Sequence, residues 1–104
     1  MEYSLIDFKN DIKEIIVICQ DDLKALSLGQ ERQAKKGQIE ETIIPEMKSL
    51  LEKIEKNEIP SKKQRWILST AYITRGWNWD IRNPGLLAKK LAQLDNKYRH
   101  ELGE

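Results

Sequence analysis

Leu5, Phe8, Ile12, Ile15, Cys19 and Leu26 lie three, four or seven residues apart, with Leu23 beside them, and that spacing lays one apolar stripe along a helix. No comparable stretch alternates apolar and polar residues between turn signals, so nothing in the chain asks for a strand. An all-α fold follows. Gly29 is the natural stop for this first helix. Val17 and Ile18 fall well off its stripe, so the helix should be covered on more than one side, or should use them to meet a second copy.

Ile39, Ile43, Met47, Leu50 and Ile54 repeat the pattern, flanked by Ile44 and Leu51. Pro45 interrupts it: the ring removes one backbone donor and crowds the carbonyl of Glu41, so one bent helix is expected over about 32–57, kinked near 41–45. The stretch 29–37 is apolar only at Ala34 and reads as a loop or a solvated first turn. A third helix is expected from Ser61 to Gly76. Ser61 and Gln64 form a capping box, Trp66, Ile67, Leu68, Ala71, Tyr72 and Ile73 supply a broad face, and Gly76 tolerates a left-handed ending. A fourth starts with Asn83 as cap and Pro84 as first residue, buries Leu87, Leu91, Leu94, Tyr98 and Leu102, and closes at Gly103. Short links at 57–60 and 76–83 favour antiparallel neighbours. The expected architecture is one domain, 1–104, an antiparallel four-helix bundle with its second helix kinked near Pro45.

Few chemistries fit this composition. A zinc site draws on three or four Cys, His or carboxylate ligands, and the chain has one Cys and one His. The paired Glu-x-x-His motifs of di-iron bundles are missing, as are calcium loops and glycine-rich phosphate cradles. Cys19 sits on an apolar stripe and His100 lies between Arg99 and Glu101 near a helix end, which suits a buried thiol and a solvated imidazole better than a nucleophile and its base. Asp21-Asp22 and Glu40-Glu41 point about 100° apart on a helix and do not share a substrate atom. The reading is a non-enzyme with no cofactor and no metal. The longest apolar run, Ile15 to Cys19, is far short of the ~20 residues of a membrane span, and the N-terminal residues carry no secretory pattern, so a cytoplasmic location is expected.

Charge is unevenly spread. Net charge is +1, but residues 1–58 hold nine Lys/Arg against thirteen Asp/Glu while residues 59–104 hold nine against four. Such a field steers a partner without specifying the fold. Within the basic half, Lys62, Lys63 and Arg65 stand at the expected start of the third helix, against the positive end of its dipole, at about 0.3–1 kcal/mol per charge. Local stability does not call for them. The turn Arg75-Gly76-Trp77-Asn78-Trp79-Asp80-Ile81-Arg82-Asn83-Pro84 then places two indoles two residues apart, one suited to sealing the end of the core and the other to an interface. Lys62, Lys63, Arg65, Arg75, Trp77, Trp79, Asp80 and Arg82 are therefore the candidate contact residues, directed at a protein partner with an acidic surface. The alternative is a nucleic-acid accessory protein using the basic and aromatic 62–82 region, with indoles stacking on bases; a net charge of +1 disfavours it.

In size, expected location and four-helix layout, the whole chain resembles the small helical immunity proteins with which bacteria protect themselves from bacteriocins and toxins. The resemblance implies a helical bundle that binds and neutralises without catalysis, and it carries over no individual residue. Members that block nucleases are often strongly acidic, and this chain departs from them in that respect.

Overall fold

A computed structural model describes residues 2–80 and 82–103. Among these residues the chain is helical apart from its connections, and the β pairing is confined to one isolated parallel bridge between Tyr3 and Leu102. The helices are α1 (Leu5–Ser27), α2 (Lys36–Gln38), α3 (Ile44–Glu55), α4 (Leu68–Arg75) and α5 (Leu86–Asn96). A π-turn, Ile39–Ile43, joins α2 to α3 without a break, and a second, Lys97–Glu101, extends α5. Four helical bodies result. No helix among the described residues is long and apolar enough to cross a membrane.

The first helix is set by local chemistry at both ends. Ser4 caps it, its hydroxyl accepting from the Asp7 amide while the Asp7 carboxylate accepts from the Ser4 amide. That reciprocal bond holds the Asp7 carboxyl below the usual carboxylate range. At the other end Gly29 takes φ +81°, and the Gly29 and Gln30 amides reach back to the Leu26 and Ala25 carbonyls, a Schellman ending. Asn57, at φ +56°, closes α3 in the same way through the Glu58 amide and the Lys53 carbonyl. α1 packs against both α3 and α5, burying Phe8, Ile12, Ile15, Ile18 and Cys19. Val17 stays 54 % exposed, and Leu5, expected on the buried stripe, is exposed as well.

Near Pro45 the helix departs from α geometry as a wide turn. The Ile44 amide donates to the Ile39 carbonyl five residues back, so the backbone is widest just ahead of the ring that would crowd it. Ile39, Ile43, Met47 and Leu50 are buried, as their spacing requires, and so is the whole stripe Leu87, Leu91, Leu94, Tyr98 and Leu102. Phe8 of α1 stacks on Tyr98 with ring centroids 4.9 Å apart and planes 11° from parallel, tying the first helix to the last.

Two expected boundaries are corrected. The helix placed over Ser61–Gly76 is a single 3₁₀ turn, Lys62–Gln64, then an extended segment, then α4 from Leu68. The Ser61 hydroxyl makes no cap. The carboxylate of Glu46 does it instead, accepting from the Leu68 amide at 2.6 Å and from the Ser69 amide at 2.9 Å and hydroxyl at 2.6 Å. A negative group replaces Lys62 and Lys63 at the positive end of the helix dipole, which is the favourable sign. α4 ends at Arg75 as expected, but Gly76 has φ −125°, and the left-handed residue of this turn is Asn78 at φ +56°. The second correction concerns α5, which starts at Leu86 with Gly85 as cap rather than at Asn83-Pro84. Gln33 explains the shift: its side-chain oxygen accepts from the Gly85 amide at 3.2 Å and its nitrogen donates to the Asp80 carbonyl at 3.2 Å. The stretch before α2 is therefore a loop whose glutamine clasps the turn ahead of α5.

Candidate partner-binding surface

The extended residues between the 3₁₀ turn and α4 decide what the basic segment presents. Arg65 has φ −82° and ψ 132°, Ile67 has φ −116° and ψ 115°, and in extended backbone successive side chains point to opposite sides. Arg65 and Ile67 are buried while Trp66 between them is 62 % exposed. Sequence periodicity had placed Trp66 on the buried face of a continuous helix; the extended backbone reverses it.

Arg65 is not a surface cation. It is 4 % exposed, and its guanidinium donates to the carbonyls of Pro60 (2.9 Å), Tyr98 (3.0 Å), Leu102 (2.7 Å) and Gly103 (2.9 Å). It also lies 5.5 Å from the centre of the Tyr98 ring. The carbonyls at the C-terminal end of a helix lack intrahelical donors and carry the negative end of the dipole, and a planar fork of five N–H groups satisfies several at once. Arg65 and the Glu46 cap thus pin the backbone on either side of Trp66.

Of the other candidate residues, Lys62 and Lys63 are exposed in the 3₁₀ turn, and Arg75 is exposed at the end of α4. Trp79 is 7 % exposed and donates its indole N–H to the Gln38 side chain at 3.0 Å, so it seals the core. Trp77 is half-buried and bridges Tyr72 and Trp79, with ring centroids 5.3 Å and 5.6 Å away. Asp80 and Arg82 are exposed, the Asp80 carboxylate accepting from the Arg82 amide at 3.0 Å. Ile81, inside the same turn, lies outside the described residues.

Lys62, Lys63 and Trp66 precede α4, Arg75 ends it, and Trp77, Trp79, Asp80 and Arg82 follow it, the eight-residue helix between the two groups having a rise of roughly 12 Å. The first group joins an exposed indole to cations; the second joins exposed charges to indoles that are largely packed away. Sequence reasoning missed Trp66 as a surface residue and missed Glu46, Gln33 and Gln38 as the groups that shape both segments. Nothing local marks them, because each acts on a partner at least 22 residues away.

Cys19 is fully buried, and burial pushes its thiol up to about 12, while His100 is exposed in the π-turn after α5. Among the described residues no three His, Cys, Asp or Glu side chains come together as metal ligands. In comparisons with known proteins, no family model, no curated protein and no solved structure matches the chain.

Proposed function

We propose that the protein is a non-catalytic binding module that engages an acidic protein surface through Trp66 with Lys62 and Lys63, most concretely an immunity-type protein that neutralises a toxin or bacteriocin pathway from the cytoplasm. In this reading the helical bodies form an antiparallel bundle, bent near Pro45, that serves as a rigid stage. One observation carries it: Trp66 is the most exposed indole of the described residues, and it is held between two buried neighbours, Arg65, whose guanidinium is bonded to backbone carbonyls, and Ile67, which is followed by the Leu68 amide bonded to Glu46. A rigid exposed tryptophan offers large apolar area at little cost in conformational entropy, and tryptophan beside cations has the make-up of an interface hot spot. The basic half of the chain supplies the steering field.

The test uses the chain as bait in extracts of its native cell, followed by titration of the purified captured protein against wild type, Trp66→Ala and Lys62→Ala/Lys63→Ala. Trp66→Ala should weaken binding by about 2 kcal/mol or more, roughly thirtyfold, with helix content unchanged. The double lysine change should slow association and reduce its salt dependence. Equal affinity of all three proteins would overturn the reading. Binding to duplex DNA that falls steeply with salt, in place of a protein partner, would favour the nucleic-acid alternative.

A further inference from the structure

One side of α1 is left uncovered by the described residues. At about 100° per residue, Ile6, Val17 and the C-cap residue Leu28 lie within about 40° of one another, opposite the stripe from Phe8 to Cys19 that enters the core. They are 72 %, 54 % and 68 % exposed. Each stands eleven residues from the next, and an eleven-residue repeat keeps to one side of a nearly straight helix. Lys13 and Lys24 fall on the same line, also eleven residues apart, and Asp21 flanks it. All three are exposed, and none enters a salt bridge among the described residues. Other carboxylates of α1 are engaged inside the chain: Asp11 with Lys97, Glu14 with Lys90 and Asp22 with Arg32.

We propose that this side of α1 binds a second copy of the chain, antiparallel, about a two-fold axis at Val17. The pattern is its own complement. A two-fold interface that brings one residue onto another also brings the second onto the first. With Val17 on the axis, Ile6 and Leu28, each eleven residues away, meet across it, and Lys13 and Asp21, each four residues away, meet likewise. Asp21 also has Lys24 three residues along its own helix, so each carboxylate stands between two cations. A parallel pair would set Lys13 on Lys13, Asp21 on Asp21 and Lys24 on Lys24, like against like. Charge therefore selects the orientation, and the apolar spacing selects the register. Three apolar side chains per copy make a small interface, in the class under about 1,200 Å² to which transient associations belong, so the dimer is a weak one. None of the residues assigned to the protein-binding surface is used, and the two proposals stand or fall separately.

Sedimentation of the full chain at rising concentration tests it. The apparent mass should climb from 12.2 kDa toward twice that value as the chain approaches about 1 mM. Val17→Asp sets two carboxylates against each other on the axis and should hold the chain at the monomer mass with helix content unchanged. Lys13→Asp or Asp21→Lys alone turns both attractive pairs repulsive and should weaken the dimer roughly tenfold. The chain carrying both changes should recover it. The two residues are separated by a rise of roughly 12 Å along one helix, so that rescue can come only from contact between copies. A mass that stays at 12.2 kDa up to about 1 mM would overturn the proposal. So would a dimer indifferent to Val17→Asp, or a doubly exchanged chain as weak as the single variants. Should Val17→Asp fail to fold, the charge exchange decides alone, since both of its positions are exposed.

Discussion

The carboxylate of Glu46 caps a helix that begins in another part of the chain, accepting from Ser69 through both its amide and its hydroxyl across 23 residues of sequence. Ser69 is fully buried, so neither of these donors has water as a substitute. Glu46 stands in the first turn of α3, just past Pro45, and the π-turn that accommodates the proline is continuous with the turn that carries it. One proline thus sits beside the residue that decides where α4 can start.

Glu46→Gln keeps an acceptor but loses the charge and one of the acceptor oxygens. Hydrogen bonds to charged groups contribute about 1.5–3 kcal/mol each, so a loss of about 2 kcal/mol is expected, with a larger loss for Glu46→Ala. Urea unfolding at unchanged m-value measures it. A midpoint indistinguishable from wild type would show that α4 holds its start without this cap.

Arg65→Lys preserves charge and removes the planar fork. A lysine ammonium has three donors on a flexible stem and cannot reach four carbonyls spread over Pro60, Tyr98, Leu102 and Gly103. Leaving two of them unsatisfied costs about 2–4 kcal/mol. Lys63→Ala, which alters an exposed side chain of the neighbouring turn, should stay within about 0.5 kcal/mol of wild type. Similar losses in the two variants would mean that Arg65 contributes only as a surface charge.

The contrast between these two residues marks how far the amino-acid sequence could be read. Where helices are set by their own periodicity and ends, as with Phe8 to Cys19 before Gly29, or Leu87 to Leu102, the stripes are buried as spacing requires. Pro45 announced an irregularity by its missing donor, though not that a π-turn would absorb it. Ser61 and Gln64 had the composition of a capping box, worth about 1 kcal/mol, and lost to Arg65 and Glu46, whose bonds reach 37 and 22 residues along the chain. Gln33 and Gln38 likewise look like ordinary polar residues until the fold brings the Trp79–Gly85 turn to them. Trp66 followed from the same event: once its backbone extends, helical phase no longer describes which way it points.

Cys19 gives a reporter of opening. Burial raises its thiol from 9.0 to about 12 in the folded chain, so the unfolded chain loses that proton first as pH rises. The stability tied to this group is complete below about 9 and is lost progressively toward about 12. Tyr3, raised by burial and its hydrogen bond to Asp11, acts in the same direction. Denaturation midpoints should fall across that window, less steeply in Cys19→Ala. Iodoacetamide near neutral pH should label the native chain only as fast as it opens, and unfolded chain in urea quickly. Fast labelling under native conditions would contradict the burial of Cys19.

Trp66 and Trp79 should respond oppositely to the same substitution. Trp66→Ala removes a ring that is mostly in water, and stability should move by no more than about 0.5 kcal/mol. Trp79→Ala leaves a cavity beneath Trp77 and takes away the indole N–H bonded to Gln38, so about 3–5 kcal/mol is expected. Trp79→Phe separates the two contributions, since it keeps most of the ring and loses only the donor, for about 1 kcal/mol. A joint Trp79→Ala and Arg82→Ala variant therefore reads core stability, whatever it does to a partner. If Trp79→Ala proved as mild as Trp66→Ala in thermal unfolding, the indole would not be sealing the core, and the separation of a packed corner from an exposed one would fail with it.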